Sequence, residues 1–293
     1  MIDARRALGA ALTVLALAAC TDQVAGRPAG VASALAPQPS GQIRITPTAR
    51  IPAAQLPAAG KCLESASFRT VECASSHDAE VVAVGELPAQ GDPTSYPLER
   101  DLRRAALPPC RAALADHLGS TDSDATRLQV WAFWPSPDGW AAGDRWRLCA
   151  VVELSPDGKP VTRTGSVKGL LAAAGFGTFQ LCSAGSPSAE QRLTLAPCDG
   201  PHLAEAVPGV LSLGKAGDPA PSEEQVNAAA KDHCTKAVAG YVGAADRTDV
   251  FPAWRTSGAQ GWSEGFTSAV CYAEATRPFT GRLWGIGRNA LPG

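Results

Sequence analysis

The chain offers no apolar run long enough to cross a bilayer. The stretch from Ala7 to Ala19 falls well short of the about 20 residues a spanning helix needs. Basic excess is also missing. With 26 Lys and Arg against 28 Asp and Glu the net charge is −2, and no basic stripe stands out, which argues against a nucleic-acid partner. Histidine is scarce, four in all, and the last is His233. That matters for Gly261-Trp262-Ser263-Glu264-Gly265, which formally matches the nucleophile elbow of α/β-hydrolases. Such an elbow needs a strand before it, a helix after it and a later histidine. Here a Ser-Gly-Ala-Gln turn is expected before it, a strand after it, and no histidine follows. No other nucleophile–base set or pair of carboxylates recurs, so the sequence gives no reason to expect an enzyme. From Thr21 to about Gly60 the chain is Ala, Pro, Gly, Ser and Gln with few aromatics. Such a stretch cannot bury enough apolar surface to offset its lost entropy, and residues 20–59 are expected to be a disordered tether.

What the chain does have is cysteine in a pattern. Apart from Cys20, the cysteines form two sets: Cys62, Cys73, Cys110 and Cys149, then Cys182, Cys198, Cys234 and Cys271. The steps are 11, 37 and 39 residues, then 16, 36 and 37. This agreement predicts two tandem units, residues 60–170 and 178–287, and an even count of eight suits a disulfide framework in an oxidising compartment. Four cysteines allow three connectivities. The placement of the elements favours Cys62–Cys73 with Cys110–Cys149, and Cys182–Cys198 with Cys234–Cys271. The first pair of each unit would join adjacent strands and the second would staple a helix to the last strand.

The N-terminus agrees with that compartment. Arg5 and Arg6 precede the apolar run, which ends in Leu17-Ala18-Ala19-Cys20. Residues 1–19 read as a lipoprotein signal peptide, with Cys20 the residue that receives the lipid. Acyl chains contribute about 0.8 kcal/mol per buried methylene, so the mature chain would be held on the outer face of the cell membrane without spanning it.

Aligned on the cysteines, both units carry Cys-x3-His-x2-Glu: Cys73 with His77 and Glu80, and Cys198 with His202 and Glu205. Apolar stretches follow, Val81 to Val84 and Ala206 to Leu213, and read as strands, with Pro208 marking an edge or a bulge. A helix comes next. Its second copy starts at Ser222, an N-cap with Gln225 three residues on, and Cys234, Val238 and Val242 lie on one stripe. Gly119 and Gly243 stand where left-handed caps would end the two helices. Pro108-Pro109 is expected to break the first helix in two. Two strands close each unit, with Trp140-x2-Gly143-x5-Cys149 matching Trp262-x2-Gly265-x5-Cys271. Both then reach Thr-Gly-x-apolar-x-Gly, at residues 164–169 and 280–285. The fold expected is α+β: two disulfide-stapled units, each roughly ββαββ with a helix on a small antiparallel sheet.

This ordered set, found twice, resembles the septum-formation domain family of actinobacterial envelope proteins over residues 60 to 286. The resemblance implies an exported or membrane-anchored protein linked to septum formation and the cell wall. It points to a non-enzymatic adaptor that engages an envelope protein or cell-wall component. No cofactor is implied. The competing reading is a ligand- or metal-binding sensor that uses the cleft between the units. His77, Glu80, His202 and Glu205 would form its polar site, since imidazole and carboxylate suit divalent ions. Two ligands per unit are too few for a closed structural metal site, so both pairs would have to converge. The simpler alternative is that each His and Glu bonds local backbone after the disulfide cysteine. Seven tryptophans raise one more possibility, a groove that stacks on sugars, although Trp140 and Trp262 are expected to be core.

Overall fold

The computed structural model describes residues 27–28, 51–89, 94–172 and 174–293. The signal peptide, Cys20 and the tether residues 21–26 and 29–50 lie outside the described residues. Arg27–Pro28 (β1) forms a two-residue strand parallel to a strand of the second half. The first half runs β2 (Cys62–Glu64), β3 (Arg69–Val71), β4 (Ala79–Glu86), α1 (Glu99–Leu118), β5 (Leu128–Phe133), α2 (Pro137–Ala141) and β6 (Trp146–Glu153). After the short helix α3 (Phe176–Phe179), the second half runs β7 (Cys182–Ser183), β8 (Leu195–Ala196), β9 (His202–Ala206), β10 (Leu211–Ser212), α4 (Glu223–Val242), β11 (Val250–Thr256), α5 (Gly258–Ser263) and β12 (Ser268–Phe279). The fold is mixed α/β, with two antiparallel sheets and four disulfides. The first sheet has the order β3-β2-β4-β6-β5, and the second follows the same path as β8-β7-β9-β12-β11.

Each sheet carries its long helix on one face. Cys110, Leu114 and Leu118 of α1 pack on Leu128, Cys149 and Val151, and Cys234, Val238 and Val242 of α4 pack on Val250, Trp254 and Cys271. Helical spacing of apolar residues on the core side produces both contacts. Ser222 and Gln225 close a capping box at the start of α4, each satisfying a backbone N–H that the first turn leaves free. Gly119 and Gly243 end the helices at φ 73° and 81°, in the left-handed region where a side chain is strained. The disulfides join Cys62 to Cys73, Cys110 to Cys149, Cys182 to Cys198 and Cys234 to Cys271. In the helix–strand bridges all four cysteines are fully buried, whereas Cys73 and Cys198 are partly exposed.

Three expectations change. First, α1 is one helix of 20 residues with Pro108 and Pro109 inside it. A proline in a helix interior costs about 3 kcal/mol, but here tertiary contacts hold both arms. Leu102 and Ala106 pack on Trp140 on one side of the prolines, and the Cys110 disulfide and Leu114 hold the other. Second, the strand expected over Ala206 to Leu213 begins earlier, at His202, and breaks after Ala206. Pro208 cannot donate to the ladder, and only Leu211–Ser212 rejoins it, as β10. Third, residues 51–59 are not loose tether. Ile51 and Leu56 pack against the outer face of the first sheet, and Trp146 Nε1 donates to the Ile51 carbonyl at 3.0 Å.

The two halves share a buried seam. Arg103 of α1 makes a two-pronged ion pair with Glu264, with Nε to Oε1 at 2.9 Å and Nη2 to Oε2 at 2.5 Å. Two turns along the same helix, Arg111 donates to the Gly265 carbonyl at 2.7 Å, pairs with Asp124 at 2.6 Å and lies over the Phe266 ring at 3.9 Å. Gly265 has φ 88°, and a Cβ there would meet Pro108 Cα at 2.9 Å. Both the backbone and the close approach therefore demand glycine. Asp122 accepts from the backbone N–H of Gly209 and of Val210, both at 2.9 Å. Backbone hydrogen bonds from Arg127 to Phe179 and from Leu181 to Ala125 continue the seam.

Candidate functional site

The four His and Glu residues singled out by the sequence are all buried, and each glutamate is the hub of a cluster in its own half. Glu80 lies on β4, where the strand alternation turns it toward the α1 face. Its Oε1 lies 2.9 Å from His117 Nε2 and accepts from Ser166 Oγ at 2.6 Å, while Oε2 accepts from the Val167 N–H at 2.8 Å. Glu205 on β9 does the same work with other side chains. Its Oε2 accepts from Tyr241 Oη at 2.8 Å and from the Leu283 N–H at 2.9 Å. Its Oε1 lies 3.3 Å from His202 Nε2 and 3.9 Å from Arg282 Nη1. Both carboxylates thus tie the strand to the last turn of the helix and to the Thr-Gly loop that ends each half.

The electrostatics follow from these contacts. Burial alone would push the Glu80 carboxyl up; the hydrogen bonds from His117, Ser166 and Val167 outweigh it and hold it below its ordinary value of 4.5. Burial and, after it, the Glu205 charge push the Tyr241 phenol up, so Tyr241 stays a donor. Because the folded Glu80 pKa lies below the unfolded one, its contribution is fully present above about 4.5 and is lost as pH falls through the folded value. Urea midpoints measured from pH 7 to pH 3 should therefore fall more steeply for the native chain than for Glu80→Gln. Equal slopes would remove Glu80 from the acid response.

The histidines take a common pose. The Nδ1 of His77 lies 2.8 Å from the Ser75 carbonyl, and that of His202 lies 2.7 Å from the Gly200 carbonyl, so Nδ1–H donates in both. Their far sides differ. His202 packs on the Phe279 ring at 4.2 Å. At the corresponding position the first half has Arg163, paired with His77 across a β-bridge. There His77 Nε2 and Arg163 Nε have no protein partner, beside a cavity of about 10 Å³ lined also by Glu80 and Glu153. That is room for one water.

Among the described residues no group of potential metal ligands draws on both the His77/Glu80 and the His202/Glu205 pairs. A different trio does come together. Cys182 Sγ, a His202 ring nitrogen and a Glu205 oxygen lie within 4.8 Å of one another, all buried, although Cys182 is spent in its disulfide. The elbow-like segment is no elbow. Ser263 ends α5, donates to the Gln260 carbonyl and accepts from Arg104. A sugar-stacking groove is not built either: Trp131, Trp140, Trp146, Trp254 and Trp262 are buried, Trp134 is half-buried against the Leu102 and Trp140 cluster, and Trp284 alone is largely exposed, at 75%.

His117, Tyr241 and the seam residues Arg103 and Glu264 escaped the sequence reading. A signal for the first two existed. Each stands seven residues after its helix cysteine, Cys110 or Cys234, two turns on along the same face.

A family model described as septum formation matches residues 58–271. The chain is 25% identical over 244 residues to an uncharacterized membrane protein of Mycobacterium tuberculosis strain CDC 1551 / Oshkosh, and equally to one of strain H37Rv. The match covers 75% of this chain and 52% of each relative, so the chain spans about half the length of the curated relatives it matches. No solved structure matches it. None of the described helices is long and apolar enough to cross a membrane. With 58–271 matched, most of its length, the chain belongs to the septum-formation family.

Proposed function

We propose that this protein is a lipid-anchored envelope protein in which two tandem copies of one α+β unit act together as a non-catalytic adaptor in septum formation and cell-wall growth. Cys20 carries the lipid, and the paired units stand on the outer face of the cell membrane. One observation carries the non-catalytic reading. Glu80 and Glu205, the carboxylates that recur in both halves, are engaged in holding strand, helix and terminal loop together. The description of the family supports the septal role, and the relatives' description as membrane proteins supports the location.

The test is an affinity capture from cell envelopes, with the full chain compared with Cys20→Ala. The anchored form should enrich division or cell-wall components that the Cys20→Ala form does not. Recovery of no such component by the anchored form would sink the adaptor reading, and equal recovery by both forms would remove the lipid from partner capture. Metabolic labelling with a clickable fatty acid checks the anchor separately, and label should vanish in Cys20→Ala.

A further inference from the structure

We propose that Cys182, His202 and Glu205 form a binding site for a divalent cation of the zinc type, which the Cys182–Cys198 disulfide closes and a dithiol reductant of the thioredoxin class opens. The donor geometry is prepared. The three ligand atoms lie within 4.8 Å of one another in the interior. His202 gives its Nδ1–H to the Gly200 carbonyl at 2.7 Å. That is the outer contact by which metal-bound histidines are oriented, and it leaves Nε2 facing Glu205 Oε1. The other carboxylate oxygen, Oε2, is held by Tyr241 and by the Leu283 N–H, so Oε1 can turn to a cation.

A cation already stands at this spot. Arg282 Nη1 lies 3.8 Å from Cys182 Sγ and 3.9 Å from Glu205 Oε1, and it also donates to Gln180 Oε1. The Arg282 side chain is 39% exposed and its Nη2 donates to the Gly177 carbonyl at 2.9 Å, so a metal ion would displace it toward solvent at the cost of these two hydrogen bonds. The first half is built differently. Ser166 takes the place of Arg282, and Glu80 Oε1 is committed to Ser166 and His117. Among the described residues no matching trio forms there.

The disulfide is placed to open in one direction. Cys198 is partly exposed and Cys182 is buried, so an incoming thiolate reaches Cys198 Sγ. A bond forms there, the Cys182–Cys198 bond breaks, and its electron pair leaves on Cys182 as a thiolate beside the Arg282 guanidinium. A stabilised leaving thiolate speeds exchange. The second sulfur of the reductant then attacks the mixed disulfide and releases Cys198, which takes up a proton and has the Gln180 carbonyl at 3.2 Å as acceptor. The reductant ends as its own disulfide, two electrons pass to the protein, and one of the reductant's two protons is released. Two buried anions, the Cys182 thiolate and the Glu205 carboxylate, now share the interior with one imidazole nitrogen. A sulfur, nitrogen and oxygen donor set of that charge suits Zn²⁺, with a fourth position left for water.

The experiment uses the full chain with Cys20→Ser, so that Cys20 adds no thiol, and Co²⁺ as the spectroscopic probe. Adding Cys198→Ser frees Cys182 without a reductant. This form should bind one equivalent of Co²⁺ with a thiolate-to-cobalt charge-transfer band, and Zn²⁺ should displace it. Replacing Cys182 as well, by Cys182→Ser, should abolish the band and weaken binding at least tenfold. Absence of the band in the Cys198→Ser form, or equal Co²⁺ affinity with and without Cys182, would overturn the site. Should Cys198→Ser not fold, the Cys20→Ser chain with its disulfides intact gives an independent reading. Under thioredoxin, differential alkylation should show Cys182–Cys198 opening at least tenfold faster than Cys62–Cys73, and Arg282→Ser should erase that difference. Equal rates in the unaltered pair would overturn the gating.

Discussion

Glu264→Ala should destabilise the protein by about 3–5 kcal/mol, the cost of leaving a buried charge without its partner. Arg103 and Glu264 are both buried and meet through two hydrogen bonds across the seam. The variant therefore strands a guanidinium between the halves. Replacing both residues with leucine should cost far less, because it removes the charge together with its need for a partner. Calorimetry makes the point in a second way. If the seam joins the halves into one cooperative unit, the native chain should melt in a single transition that Glu264→Ala splits in two. A loss under about 1 kcal/mol, less than breaking a buried pair costs, with a single transition retained, would mean that the seam is held by its backbone hydrogen bonds and apolar contacts instead.

Removing the Cys110–Cys149 bridge with two alanines should cost about 4 kcal/mol. The bridge closes a loop of 39 residues, and the chain-entropy relation gives about that figure for such a loop. Removing Cys62–Cys73, with a separation of 11 residues, should cost nearer 3 kcal/mol by the same relation. The true gap should be wider than this entropy difference. Both cysteines of the longer bridge are fully buried against Leu114 and Val151, so the alanines also leave a small void. The longer bridge further pins α1 beside its prolines, where helix propensity is least favourable. Denaturant midpoints of the two double-alanine variants decide the order. A smaller loss for the Cys110/Cys149 pair would mean that the unfolded chain stays compact around that loop.

The local signals in the chain were reliable where local chemistry decides. Ser222, Gln225 and Gly243 bound α4 because a capping box and a left-handed stop act within a few residues. The disulfide partners followed from which elements must be neighbours. Local signals failed where distant contacts win. Pro108-Pro109 looks like a break, and only contacts to Trp140, Cys149 and the second half keep the helix whole. The Ser-Gly-Ala-Gln segment expected as a turn opens α5, and α2 leaves no helical signature, since five or six residues are too few to show a helical period. His202 to Ala206 looks too polar for a buried strand, and its burial depends on Tyr241 and Leu283, 36 and 78 residues away from Glu205. The polar site was visible as a repeated His-x2-Glu, but its partners were not. Three of Glu80's contacts come from 37, 86 and 87 residues off.

The seam also decides how large an assembly this design can make. A repeated unit that docks its helix on the turn of the next unit could in principle go on docking without end, as head-to-tail contacts do when nothing closes them. Here the chemistry of the contact exists once. In α4 the positions of Arg103 and Arg111 are taken by Asn227 and Thr235, and in the first half those of Glu264 and Phe266 are taken by Ala142 and Asp144. Asn227 is moreover committed to the Trp254 indole at 3.0 Å. On α4 and on the turn after α2 the arginines, the carboxylate and the phenyl ring of this contact are thus absent, so these two surfaces cannot repeat it between copies of the chain.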